Sequence, residues 1–208
     1  MIKAIIFDFG NVICKFTNEI LVERISHLTG KTKEEIFDLI YKKSDLPKKV
    51  ETGLVSSQEF FEELSKLCGL NVTYEELKRI YSEDKFTPIE GMGELIERLR
   101  GKYKIGLLSN TGEWDFDYIL KVAPIVKTFD SITTSFEVKA MKPNSNIFLD
   151  ALNKLKLKPE ECIYTDDILD YVEAAKEMGI NAVQFNGIEK FKSDLKNFGV
   201  EIKYLAIS

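Results

Sequence analysis

Four short stretches of this chain carry side chains able to do chemistry, and each follows a run that reads as a strand. Ala4 to Phe7 delivers one carboxylate, Asp8, and the Gly10-Asn11 pair just beyond marks a turn. Lys104 to Leu108 ends at Ser109-Asn110. The segment following Phe129 to Thr134 carries Lys142-Pro143, and Glu161 to Thr165 ends at Asp166-Asp167. The first run is continuously apolar, as a strand buried on both faces of a parallel sheet should be. Open sheets of that kind place ligands at the carboxyl ends of their strands. All four ends then face one edge, so residues far apart in sequence converge.

The set fits phosphoryl transfer. A lone carboxylate can act as a nucleophile and form an aspartyl-phosphate. A few carboxylates with open positions suit Mg²⁺, which takes its remaining ligands from substrate phosphate. A lysine offsets charge on the phosphate and holds the nucleophile ionised. A serine hydroxyl and neighbouring N–H groups can bind the other oxygens. Each stretch alone has a plainer reading. Asp8 can cap a turn, Ser109-Asn110 can be a turn or helix cap, and Lys142 can be a solvated loop charge. Asp166-Asp167 can be an N-terminal cluster that favours a helix dipole. All four together, each at a strand exit, are much harder to obtain by accident.

The elements that must position these residues divide in two. From Cys14 to near Phe86 the signals are helical, with no convincing strand. Thr17 or Asn18 can cap a helix through Ile20, Leu21, Ile25 and Leu28, stopped at Gly30. Thr32 with Glu35, Ser56 with Glu59 and Thr73 with Glu76 are three capping boxes, each opening an apolar stripe. Pro47 and Gly53 bracket a polar connection. This is too much helix for one crossover between neighbouring strands, so residues 14–86 read as an inserted helical lobe. Residues 1–13 and 87–208 form the core, where strands alternate with helices, as in a parallel sheet covered on both faces.

Composition narrows the function further. The 208 residues, 44% hydrophobic and 30% charged, can bury a core. A net charge of −5 leaves no basic footprint for nucleic acid. No apolar run approaches the ~20 residues of a membrane helix. An acid stands early in the N-terminal run, so no export signal is expected. Cys14, Cys68 and Cys162 have no CxxC spacing and read as free thiols of a reducing compartment, the cytoplasm. A single histidine, His27, rules out a multi-His zinc site within one chain and is expected to be structural or at the surface. Arg24, Lys48 and Lys49 could meet a substrate, but read better as solvated charges.

Asp8 in Phe-Asp-Phe-Gly-Asn-Val, Ser109 in Leu-Leu-Ser-Asn-Thr, Lys142 in Met-Lys-Pro-Asn and Asp166-Asp167 in Ile-Tyr-Thr-Asp-Asp resemble the four motifs of the haloacid dehalogenase-like hydrolases. The resemblance spans the whole chain. It implies an α/β fold with a Rossmann-like parallel sheet of about five strands, helices on both faces and an α-helical cap inserted after the first motif. It implies that the first and fourth strands of the sheet lie side by side. The form of the first and last motifs is similar to a branch that includes sugar-phosphate phosphatases. By position, Asp8 is implied as nucleophile and Mg²⁺ ligand, and the backbone carbonyl of Gly10 as a further ligand. Asp167, and more variably Asp166, complete the metal set. Ser109, Asn110 and Lys142 are implied to bind the phosphoryl group of a small phosphorylated substrate.

Two departures from the family pattern matter. Most phosphatases of this family carry a second Asp two residues after the nucleophile, which protonates the leaving oxygen. Here that position is Gly10. Three explanations compete. The substrate can have a good leaving group, such as the anomeric oxygen of a sugar 1-phosphate. A cap residue or water can supply the proton. Or the chain can be a binding or regulatory module with little turnover. Ile168 and Tyr171 also stand where polar residues are common in the similar branch, which would narrow the pocket or weaken the shell behind the metal ligands. A 2-haloacid dehalogenase is the weaker reading. Those relatives need no metal and typically carry Tyr at the Gly10 position, whereas adjacent carboxylates call for a cation between them.

Overall fold

The computed structural model describes residues 1–202. The last residues of the expected core, 203–208, lie outside the described residues. The chain opens with β1 (Ala4–Phe7) and β2 (Cys14–Phe16). It continues with α1 (Glu19–Thr29), α2 (Lys33–Phe37), a π-helical turn (Asp38–Lys42), α3 (Leu46–Glu51), α4 (Ser57–Cys68) and α5 (Tyr74–Ser82). Then follow β3 (Phe86–Pro88), α6 (Met92–Leu99), β4 (Lys104–Ser109), α7 (Glu113–Val122), β5 (Ser131–Thr134) and α8 (Ser135–Val138). The chain closes with α9 (Ser145–Leu155), β6 (Cys162–Asp166), α10 (Leu169–Glu177), β7 (Asn181–Gln184) and α11 (Ile188–Asn197).

Five strands form one parallel sheet in the order β5-β4-β1-β6-β7. β1 is fully buried because both of its faces are covered. Ile5 and Phe7 pack on one side with Leu95, Ile96, Ile119 and Phe191 of α6, α7 and α11. Ala4 and Ile6 pack on the other with Ile147, Phe148, Val172 and Ala175 of α9 and α10. This strict alternation follows from the two-residue period of a strand. β1 lies between β4 and β6, in register Phe7 to Leu107 and Phe7 to Thr165. That register puts Asp8, the residue after β1, beside the last residues of β4 and β6.

The helices from α1 to α5 have a core of their own, built on Leu21, Ile25, Ile36, Phe60, Leu64 and Leu77. All three capping boxes form: Thr32, Ser56 and Thr73 each accept from the backbone N–H three residues on, whose Glu side chain returns the bond. Trp114 of α7 is the sheet unit's contribution to this cluster. Its indole Nε1–H donates to Tyr74 Oη at 2.8 Å.

Two expectations are corrected here. The stretch from Cys14 to Phe86 does contain strand: β2 and β3 pair antiparallel, Cys14 with Pro88 and Phe16 with Phe86. Each is only three residues long, so neither shows a period by itself. The stretch from Pro47 to Gly53 is largely helix rather than a connection. Proline is tolerated in a first turn because its missing N–H would have had no partner there. Leu46 and Val50, one turn apart, bury the same face of α3.

Candidate active site

The carboxyl end of the sheet carries a cavity of about 210 Å³. Asp8, Gly10, Ser109, Asn110, Lys142 and Asp167 line it. Asp8 follows β1 directly, and its N–H still donates to Thr165 O at 3.0 Å, so its position is fixed by the sheet. Lys142 arrives on the loop between α8 and α9. Its ammonium is buried and donates to Asp8 Oδ1 at 2.7 Å, Asp166 Oδ2 at 2.6 Å and Leu108 O at 3.3 Å. A buried charge persists only when paired and hydrogen-bonded, and Lys142 meets both conditions. Burial opposes its charge, but Asp8 and Asp166 outweigh that and raise its pKa. The Tyr171 ring adds a cationic contact at 5.1 Å.

Asp166 faces inward and is fully buried. Its Oδ2 accepts from Lys142 and the Tyr164 hydroxyl, and its Oδ1 from the Ile168 N–H at 2.9 Å. Burial and then Asp166 push the Tyr164 phenol well above its usual range, so it stays a donor. Asp167 faces the cavity, and its Oδ2 accepts from Asn11 Nδ2 at 3.0 Å. Burial raises the pKa of Asp167. Burial also pushes Asp8 up to about 7, with Lys142 opposing and Asp166 adding to the rise.

Carboxylate oxygens of Asp8, Asp166 and Asp167 lie within 4.8 Å of one another. One ammonium balances three acids, which leaves an excess of negative charge where a hard divalent cation would bind. The donor set therefore fits Mg²⁺.

The structure divides the remaining expected residues. Ser109 is buried at the cavity wall, and its hydroxyl has no hydrogen-bond partner among the described residues. The Asn110 side chain is engaged elsewhere: Oδ1 accepts from Lys142 N–H at 2.8 Å and Nδ2 donates to Lys142 O at 3.3 Å. It thus holds the peptide that presents the lysine. Ile168 and Tyr171 line the cavity. Arg24 pairs with Asp84, Lys49 pairs with Asp45, and Lys48 and His27 are exposed; none of the four lines the cavity. The three cysteines are free and buried.

Other residues at the site had no local signal. Asn11 adopts φ 55 and so turns its side chain toward Asp167. Asparagine tolerates that left-handed geometry better than most residues, so the Gly-Asn pair held a clue to the turn but not to the bond. Glu51 at the end of α3 and Asp115 on α7 also line the cavity. Asp115 Oδ2 accepts from Lys85 Nζ at 2.7 Å in a buried pair. Burial, with Asp115 adding to it and Lys85 opposing, raises Glu51 to about 7.

A family model described as haloacid dehalogenase-like hydrolase matches residues 5–185. The D-ribitol-5-phosphate phosphatase of Bacteroides thetaiotaomicron is 27% identical, over 88% of this chain and 92% of that protein. The phosphorylated carbohydrates phosphatase of Thermotoga maritima is 30% identical, over 87% and 83% respectively. A HAD family enzyme of Bacteroides thetaiotaomicron, solved with magnesium and inorganic phosphate, superposes with a TM-score of 0.78. It is 24% identical, covers 88% of this chain and 94% of its own, and shares the fold. With a family match across most of its length and a parallel sheet bearing the acids at its edge, the chain belongs to the haloacid dehalogenase-like hydrolases.

Proposed function

We propose that this hydrolase is a Mg²⁺-dependent phosphomonoesterase of small phosphorylated metabolites, working through an aspartyl-phosphate on Asp8. The observation that carries the reading is the buried Lys142 bridging Asp8 and Asp166 beside the outward-facing Asp167. A phosphorylated carbohydrate is the favoured substrate class, supported by the names of the two relatives.

Lys142 holds Asp8 Oδ1, so Oδ2 is the oxygen left to attack phosphorus. The Ser109 hydroxyl, without an internal partner, serves the phosphoryl oxygens. Asn110 and Tyr171 keep Lys142 aimed, and Asn11 keeps Asp167 aimed. Asp8, Asp167 and the Gly10 carbonyl would hold Mg²⁺, with Asp166 bordering them. Bound there, the ion would offset the charge on the phosphate oxygens. Positioning and electrostatics supply most of the catalysis in this transfer. The insert of residues 14–86 acts as the cap, excluding water from the cavity and selecting the leaving group.

Hydrolysis of a panel of phosphate esters, with Mg²⁺ and with chelator, tests this. Wild type should turn over several esters, and Asp8→Asn or chelation should abolish the activity. Activity surviving either change would sink the mechanism. The Gly10 position favours one competing reading, a binding module on the same scaffold. Failure of wild type on every ester, activated aryl phosphates included, would establish that instead.

A further inference from the structure

We infer that Glu51, delivered by the helical insert, is the general acid and base of this site, standing in for the side chain missing at Gly10. The inference rests on the phosphatase reading above and extends it.

Glu51 shares the cavity with Asp8, Ser109 and Asp167. It is the last residue of α3, and its main chain is tied to the phosphate side of the site. The Ser135 hydroxyl accepts from the Thr111 N–H at 2.9 Å and donates to the Glu51 carbonyl. Thr111 lies two residues past Ser109, so the loop after β4 and Glu51 are held by one hydroxyl. Two residues on, Lys139 donates to the Gly53 carbonyl. A Cβ at Gly53 would lie 2.1 Å from Phe136 O, so this part of the insert sits directly on α8.

The carboxyl group itself is uncommitted. Among the described residues it accepts no hydrogen bond and forms no ion pair. The titratable groups that face it come from several elements: Asp115 of α7, Lys85 before β3, Tyr41 of the π-helical turn, Tyr81 of α5 and Tyr171 of α10. Asp115 is committed to Lys85, whose ammonium also lies 4.0 Å from the Tyr81 ring centroid. Two carboxylates facing each other repel unless one carries a proton. Asp115 has the cation, so Glu51 carries the proton, and its rise to about 7 agrees. A general acid works best with its pKa near the operating pH.

The steps balance. As Asp8 Oδ2 bonds to phosphorus, the bond from phosphorus to the ester oxygen breaks, and that oxygen takes the Glu51 proton and leaves as the alcohol. Glu51, now a carboxylate, takes a proton from the water that attacks the aspartyl-phosphate. Phosphate leaves, Asp8 regains its carboxylate, and Glu51 is protonated again.

First-turnover rates on two esters test the assignment: an alkyl phosphate, whose alcohol needs a proton, and 4-nitrophenyl phosphate, whose phenolate does not. Glu51→Gln should slow release of the first alkyl alcohol by about 10²- to 10⁴-fold, while the first nitrophenolate leaves at the wild-type rate. Wild type on the alkyl ester should lose rate above about pH 7, where Glu51 loses its proton, and Glu51→Gln should lack that limb. Gly10 has room for a side chain, since a Cβ there meets Phe16 Cβ at 3.8 Å and Asp8 Oδ2 at 3.9 Å. Adding Gly10→Asp to Glu51→Gln should therefore restore alkyl ester turnover. Equal loss on both esters, or loss on neither, overturns the role of Glu51 while leaving the phosphatase reading intact. Wild type inert on both esters, with the nitrophenyl compound included, overturns the underlying reading and this one with it.

Discussion

At the scale of single residues, the site separates groups that do chemistry from groups that aim them. Asn11 is the clearest of the second kind: one end of its amide holds Asp167 and the other accepts from the Phe16 N–H at 3.2 Å. Partners behind a metal ligand commonly contribute 10- to 100-fold in metal affinity. Asn11→Gly keeps the left-handed backbone and removes only the amide. It should raise the Mg²⁺ concentration for half-maximal activity by about 10- to 100-fold, with saturated rate little changed. A magnesium titration of phosphatase activity checks this, and an unchanged midpoint would assign Asn11 to the turn alone. Asp8, Ser109, Asp166 and Asp167 were legible in the chain because each ends or directly follows a run readable as a strand, and Lys142 because it stands in the segment after another, although α8 intervenes. Asn11, Glu51 and Asp115 were not. Their importance depends on which distant residue they face, and no local pattern carries that.

At the scale of elements, local chemistry was legible and long-range pairing was not. The three capping boxes are complete within four residues, so their types and spacing suffice. α3 was hidden because Pro47 and a run of lysines look like a loop when the buried Leu46 and Val50 are not yet known to share a face. Its seat can be tested with two glycines of like backbone. Gly53 (φ +65) and Gly30 (φ +69) both sit in the left-handed region, but only Gly53 has backbone against it, while Gly30 meets nothing within 4 Å. Gly30→Ala should cost only the left-handed penalty, roughly 1–2 kcal/mol. Gly53→Ala should cost more, because the Phe136 carbonyl must move, and it should also slow the alkyl ester reaction by displacing Glu51. Urea unfolding of the two variants beside wild type reads the difference. Equal destabilisation would mean α3 is not held by that contact.

At the scale of the whole molecule, one aromatic side chain of the sheet unit sits inside the core of the insert. Trp114 belongs to a helix of the sheet unit yet is buried among Phe60, Tyr74 and Tyr81 of the insert, with ring centroids 5.1, 5.2 and 5.8 Å away. Trp114→Ala should lower stability by about 3–5 kcal/mol, measured by urea unfolding. A loss below about 1 kcal/mol, the size of an ordinary surface substitution, would mean the joint lies elsewhere. Sequence pattern proposes a division into sheet unit and insert because the signals change from strand to helix at the border. It could not show Trp114 crossing that border, since its own helix belongs to the sheet.

The border also has a topological meaning. β2 and β3 run side by side, so the chain departs from the sheet unit and comes back at a single doorway. To the five-stranded sheet, everything from residue 17 to residue 85 is the loop of one β-hairpin. Closing such a loop costs only about 0.6 kcal/mol more for each doubling of its length. A hairpin loop can therefore be lengthened, shortened or exchanged without disturbing the register of β1 against β4 and β6. On the proposed reading, the acids and lysine at the sheet edge form a fixed reactor, and the proposed proton donor arrives on an interchangeable part. A lineage built this way can acquire a new leaving-group preference, and a new proton donor with it, by swapping the loop of a hairpin.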